Sequence, residues 1–321
     1  MKIISSLVLL GCLSISSVVN AQTLEYPTRS VQVLIGFPPG GSSDIVGRYV
    51  MQKMSDLTGK QFVVENRTGA GGNIAFAAVA AAKPDGYTLL FSTPGIAINP
   101  SLYKKVSYKL DDFTPIALIG DAPLVLLANA KSPIKNVNDQ VAAGKSKPDA
   151  IRFASSGNGS SSHLSMDVLR SMTGMQYIHI PYRGGGTAMI DLMSGDVDVT
   201  MQPIAESVPY LKDPRIVALG QTGSKRAVIA PNIPTIQEAG VKGYASTTWY
   251  MLLGPANMSP QVVQYIQKNI STVLKMPEVK ARLEASGLDV INGDSAQTKE
   301  FLNAEYKKWQ ALIKASGTVI E

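Results

Sequence analysis

The chain has 321 residues, 45% of them hydrophobic and 17% charged, and a formal net charge of +6. Its mean hydropathy of +0.08 and its length allow two domains with cores of their own and exclude a disordered or fibrous chain. Lysines and arginines are scattered without the basic and aromatic stripes of a nucleic-acid surface, so the positive balance either helps to capture small anions or is ordinary solubility charge.

The first residues read as a secretory signal peptide covering 1–21. Lys2 supplies the positive start, an apolar run follows, and Val19-Asn20-Ala21 satisfies the small-residue rule for cleavage before Gln22. The rival is a lipoprotein signal at Cys12, which would have a short apolar core and the bulky Leu10 where such signals carry a small residue. Cys12 is the single cysteine, so cleavage after Ala21 removes disulfides, thiolate catalysis and cysteine metal sites from the mature chain. No later stretch reaches the roughly twenty apolar residues of a bilayer span. Export without anchor or disulfide points to a bacterial periplasm.

Strands are expected at 31–37, 62–65 and 88–92, with helices at 45–57 and 74–83. That alternation argues for βαβ units and a largely parallel sheet. Two apolar runs, 116–119 and 124–128, broken by Gly120-Asp121-Ala122-Pro123, read as a first crossing into another domain. There the alternation resumes with helices at 137–144, 164–172 and 187–193 and strands at 151–154, 177–180, 197–201 and 216–222. The loop around Pro231 and Pro234 is expected to lead into a short helix. The run 247–254, with Trp249 and Tyr250, reads as the return crossing. Val262, Val263, Ile266, Ile270, Val273 and Leu274 recur at helix spacing, and a last helix is expected over about 296–315. The organisation is therefore a discontinuous first domain, 22–123 with 248–321, interrupted by a second, 124–247, as in hinged bodies that close on ligands.

One pattern occurs twice. The first strand leads into Pro38-Pro39-Gly40-Gly41-Ser42-Ser43-Asp44, and the strand at 151–154 leads into Ser156-Gly157-Asn158-Gly159-Ser160-Ser161-Ser162-His163. Each copy continues through a helix ending in Thr-Gly, another strand, and an arginine (Arg67 or Arg183) ahead of a second glycine cluster. Such a loop exposes backbone N–H groups at the positive end of a helix dipole and is suited to anions. Two of them, one per domain, suggest a clamp. No lysine follows either glycine set, which departs from the phosphate-binding Gly-x4-Gly-Lys-Ser/Thr pattern.

Phe37-Pro38-Pro39-Gly40-Gly41-Ser42-Ser43-Asp44, Val64-Glu65-Asn66-Arg67 with Gly69-Ala70-Gly71-Gly72, Pro84-Asp85-Gly86-Tyr87-Thr88-Leu89, Ile98-Asn99-Pro100-Ser101-Leu102-Tyr103 and Ile180-Pro181-Tyr182-Arg183-Gly184 run in order along nearly the whole mature chain. In these motifs the chain resembles the substrate-binding proteins of tripartite tricarboxylate transporters, the Bug receptor family. The resemblance implies an α/β, two-domain periplasmic binding protein fold of type II, with two crossover strands and a cleft between lobes. It also implies capture of a small carboxylated compound (a mono-, di- or tricarboxylate or an aromatic acid) and its transfer to a membrane permease. The carboxylate would be held between the two Gly/Ser loops by backbone amides, hydroxyls and water. One departure, Gln202-Pro203-Ile204 where relatives carry an acidic or amide-bearing Phe-Asp-Asn type of segment, weakens the implication of a dicarboxylate.

The ligand-binding candidates follow. Phe37, Gly40, Gly41, Ser42, Ser43, Asp44 and Thr93 come from the first domain, and Ser156, Gly157, Gly159, Ser160, Ser161, His163, Tyr182, Arg183 and Gln202 from the second. Asp44 would repel a carboxylate, so a task at its helix start competes with ligand contact, and Trp249 joins Phe37 as a candidate wall residue. His163 beside the serines invites a hydrolase reading with Ser160 or Ser161, but no Gly-x-Ser-x-Gly elbow is present. With only His163 and His179 a histidine-rich metal site cannot be built. The expectation is a non-enzymatic, monomeric receptor without cofactor or metal. A sensor that docks on a membrane signalling receptor needs the same clamp and is an open alternative.

Overall fold

The computed structural model describes residues 25–316 and Ile320; the expected signal peptide and Cys12 lie outside them. Strand β1 (Val31–Ile35), helix α1 (Ser42–Thr58), β2 (Phe62–Asn66), α2 (Asn73–Ala80) and β3 (Thr88–Ser92) form a unit in which β2 and β3 run parallel to a central β1. Helix α3 (Gly95–Leu102), the long strand β4 (Phe113–Asn129) and α4 (Val137–Ser146) follow. Then β5 (Arg152–Ser155), α5 (Ser161–Thr173), β6 (Ile178–Pro181), α6 (Gly185–Ser194) and β7 (Val199–Pro203) repeat the first arrangement, with β6 and β7 parallel to a central β5. The chain ends with α7 (Ile204–Ser207), β8 (Ile216–Gln221), β9 (Thr247–Pro255), α8 (Pro260–Lys275), α9 (Pro277–Glu284), β10 (Asp289–Gly293) and α10 (Ser295–Ser316).

The two apolar runs expected around Gly120 to Pro123 are one strand of 17 residues. Antiparallel β9 pairs with β4 from Phe113 to Pro123, and β7 and β8 take over from Leu124. Pro123 falls at this handover, as the last residue of β4 paired with β9, opposite Thr247. Gly120 lies where β10 comes closest, and a Cβ there would stand 2.3 Å from the Asp289 carbonyl oxygen. Both residues that read as a break are thus what lets one strand serve two sheets. The order β2-β1-β3-β9-β4 on one side and β4-β7-β5-β6 on the other gives a two-lobe α/β body joined through β4 and β9.

Each lobe is held by stripes that the sequence spacing already marks. Val46, Val50, Met51 and Met54 of α1 and Val262, Ile266 and Ile270 of α8 are buried in one cluster with Val31, Val33 and Ile35 of β1. Each such side chain contributes about 2 kcal/mol by leaving water. Gly59 ends α1 in the left-handed conformation, φ 65°, its N–H bonding to the Ser55 carbonyl. On the opposite face of the sheet α10 buries Leu302, Trp309 and Ile313 with Leu102 of α3. The second lobe centres on Leu124, Leu126, Phe153, Met166 and Tyr244.

The helix expected after Pro234 is a run of turns. Thr235 and Glu238 exchange the bonds of a capping box, at 2.7 and 3.0 Å, but Gly240 at φ 117° ends the segment before a helix can propagate. Among the described residues no helix is long and apolar enough to cross a membrane.

Candidate functional site

Where helices diverge from the carboxyl end of a central strand, an open α/β sheet leaves a crevice. The loops leaving β1 and β5 meet at such crevices, and together they line a cavity of about 620 Å³ between the lobes. The lobes touch at its edges. A Cβ on Gly184 would stand 3.2 Å from the Pro38 ring, and one on Gly159 would stand 2.3 Å from Asn99 Oδ1.

Phe37, Gly40, Gly41, Ser42, Ser43 and Thr93 line the cavity from the first lobe, and Ser156, Ser160, Ser161 and Arg183 line it from the second. Helix α1 has Gly41 at its N-cap and no side-chain cap, which leaves its first amides to outside partners. Helix α5 is capped by Ser160, whose hydroxyl accepts the His163 backbone N–H at 3.3 Å and donates to the Gly157 carbonyl at 2.7 Å. Ser162 turns inward to the Met201 carbonyl. Of this serine run, Ser161 has no such described bond to the loop or core.

The remaining candidates are not among the residues that line the cavity and stand behind its wall. The Asp44 carboxylate accepts from the Gly40 N–H at 3.0 Å, Arg48 Nε at 2.8 Å and Asn66 Nδ2 at 2.9 Å, so it braces the loop from below. Gly157 and Gly159 supply left-handed backbone, φ 124° and 74°, and shape the second loop without lining the cavity. His163 is 4% exposed; its Nδ1 accepts the Gly159 N–H at 3.3 Å, and its ring stacks on His179 at 4.0 Å. Burial, and then the charge of Arg170, hold His163 down at about 4, so it is neutral and its 3.4 Å approach to Asp167 is not an ion pair at neutral pH. Tyr182 donates its hydroxyl to Asp191, away from the cleft. Gln202 is fully buried; its Oε1 accepts from Ser156 Oγ at 2.8 Å and its Nε2 donates to Thr200 at 2.7 Å. Trp249 is also displaced from the expected wall: it is buried in the first lobe, with Nε1 donating to Glu305 at 3.0 Å.

The sequence reading missed the carboxylate in the wall. Glu206 of α7 reaches across the cleft, and its Oε1 accepts the Ser42 N–H at 2.7 Å. Its Oε2 lies against Gly185 at the start of α6, where an added Cβ would stand 2.2 Å away. The first turns of α1 and α6 therefore converge on one acidic side chain of this protein. Burial holds its carboxyl above the ordinary value, opposed by the Ser42 hydrogen bonds. Ile45, Met189, Ile190, Pro209 and Tyr210 supply an apolar wall. The repeat carried a signal for this region: Thr93 follows β3, and the segment after β7 holds the matching place in the second copy.

The model of the family described as "Tripartite tricarboxylate transporter family receptor" matches residues 46–318. Protein BugT of Bordetella pertussis is 31% identical over 310 residues, covering 96% of this chain and 94% of that protein. The UPF0065 protein of the tcbD-tcbE intergenic region of a Pseudomonas species is 33% identical over 301 residues, 93% of this chain and 90% of its own length. Among solved structures, R. palustris Rpa4515 with adipate superposes with a TM-score of 0.87 at 30% identity, covering 92% of this chain and 99% of the other. MatC from Rhodopseudomonas palustris with bound malate gives 0.84 at 30% identity, covering 90% and 100%. With the same two-lobe frame and a match along nearly its whole length, the chain belongs to the tripartite tricarboxylate transporter receptor family.

Proposed function

We propose that this protein is a periplasmic receptor that encloses a small carboxylate-bearing solute between its lobes and presents it to a membrane permease. The observation that carries the reading is the placing of two Gly/Ser loops, each opening a helix after the central strand of an equivalent unit, on facing walls of one 620 Å³ cavity. Helix starts and hydroxyls in a site shielded from water hold an anion without a lysine or a metal. The structural relatives with adipate and malate support a carboxylate as the shared ligand group.

In this reading residues 1–21 direct export and are removed. The receptor acts as a monomer, and residues 22–123 with 248–321 move against 124–247 about the β4 and β9 crossings. Binding involves no covalent step. His163 has Nδ1 engaged by Gly159 and Nε2 beside Asp167, which takes it out of the role of base for Ser160 or Ser161.

The test is a thermal-shift and calorimetric screen of the mature protein against mono-, di- and tricarboxylates and aromatic acids. At least one acid should raise the melting temperature in a concentration-dependent way. A complete lack of response across the panel would overturn the reading.

A further inference from the structure

The cavity wall holds two charged side chains, Arg183 and Glu206. Glu206 occupies the place where an anion is best received, between the Ser42 amide and the start of α6 at Gly185. Among the described residues no lysine, arginine or histidine forms an ion pair with it. A second carboxylate brought to this end of the cavity would meet a like charge in a poorly solvated place. Beyond the Ser160 cap, Ser161 in the first turn of α5 and Thr93 across the cleft line the cavity and offer hydroxyl donors to an anion. The apolar side chains of Ile45, Met189 and Pro209 suit a hydrocarbon spacer.

We propose that Glu206 determines specificity, making the cavity selective for acids that carry a cationic hydrogen-bond donor, an ammonium group, remote from their carboxylate. The ligand carboxylate is received at the α5 and Thr93 side, and the ammonium group is received by Glu206. The ammonium pairs with the carboxylate oxygens while Ser42 N–H continues to orient Oε1. A diacid of the same length places its second carboxylate against Glu206 and is disfavoured. This inference rests on the proposed carboxylate-receptor function and adds the second group of the ligand.

Calorimetric titration of the mature protein with matched pairs tests it: ε-aminocaproate against adipate, δ-aminovalerate against glutarate, and (aminomethyl)benzoate against terephthalate. In at least one pair the amino acid should bind about tenfold or more tightly than its diacid partner. E206Q, whose amide oxygen can still accept the Ser42 N–H, should lose that preference, with weaker binding of the amino acid and tighter binding of the diacid. If diacids bind and no amino acid is preferred, the assignment to Glu206 is wrong and the carboxylate reading stands. An unchanged preference in a folded E206Q protein overturns the assignment equally. If no amino acid of the three pairs binds, the assignment to Glu206 falls, while the carboxylate-receptor reading is decided separately by the wider acid panel.

Discussion

His163 and His179 stack face to face, their ring centres 4.0 Å apart and their planes within 3° of parallel, directly beneath the second loop. His163 Nδ1 accepts the Gly159 N–H, and His179 Nε2 is 2.7 Å from Ser155 Oγ. Asp167 lies 3.4 Å from His163 Nε2 and also accepts from Tyr177, while Arg170 pairs with Asp167 at 3.1 Å.

Stability should fall as the pH drops from about 6.5. Burial, then its neighbour His163, and against them Asp167, set His179 at about 3; His163 is at about 4. The unfolded chain takes up protons near the ordinary value of 6.5, so it binds more protons than the folded one below that pH. The contribution of the neutral pair is complete above 6.5 and is lost progressively down to about 4 and 3. Protonation also turns Nδ1 from acceptor to donor against Gly159 N–H, which should loosen the second loop. Urea unfolding at pH 7 and pH 5 measures the effect. A variant with both histidines changed to asparagine that keeps the same pH dependence would show that the pair is not its source.

Asp44→Ala should destabilise the protein by about 2 kcal/mol, because it leaves the Gly40 N–H and Asn66 amide without their buried acceptor. Asn66 also donates to the Phe37 carbonyl at 2.9 Å, so the loss spreads to the loop and should weaken ligand binding. Chemical denaturation and calorimetry read the two effects. A change in stability below about 0.5 kcal/mol, the scale of an ordinary surface substitution, would contradict a bracing role.

The two tryptophans should report unfolding and not ligand. Trp249 and Trp309 both donate Nε1 to Glu305 Oε2 at 3.0 Å within the first lobe. A ligand that raises the melting temperature is therefore expected to leave their emission nearly unchanged. Glu305→Leu, which strands two indole N–H groups, should cost about 2 to 4 kcal/mol, with Glu305→Gln recovering part of it. A large change of emission on ligand addition would place an indole in contact with the moving cleft.

Much of the frame is legible in the chain because it depends on local rules. Apolar spacing marks α1, α8 and α10, Gly59 and Gly174 stop their helices in left-handed turns, and the repeated strand, Gly/Ser loop and helix mark the equivalent units around β1 and β5. Other elements are less legible. Helix α3 contains Pro100, and α9 and β10 gain their definition from packing against their neighbours. Gly120 and Pro123 look like breaks along the chain and become the handover point of β4 only when β9, β7, β8 and β10 are in place.

The site divides in the same way. The loops around Gly41 and Ser160 are legible as turns that open helices because glycine conformation and helix capping act within a few residues. Which side chains reach the cavity depends on long-range placement. Asp44 and His163, adjacent to the loops in sequence, turn behind them, whereas Glu206, 164 residues from Ser42, arrives at its amide. Local chemistry determined by the sequence built two Gly/Ser loops that open helices on facing walls of one cavity. The tertiary structure alone decided that one of this protein's own carboxylates stands between them, because only the packing of one lobe against the other brings α7 to the start of α1.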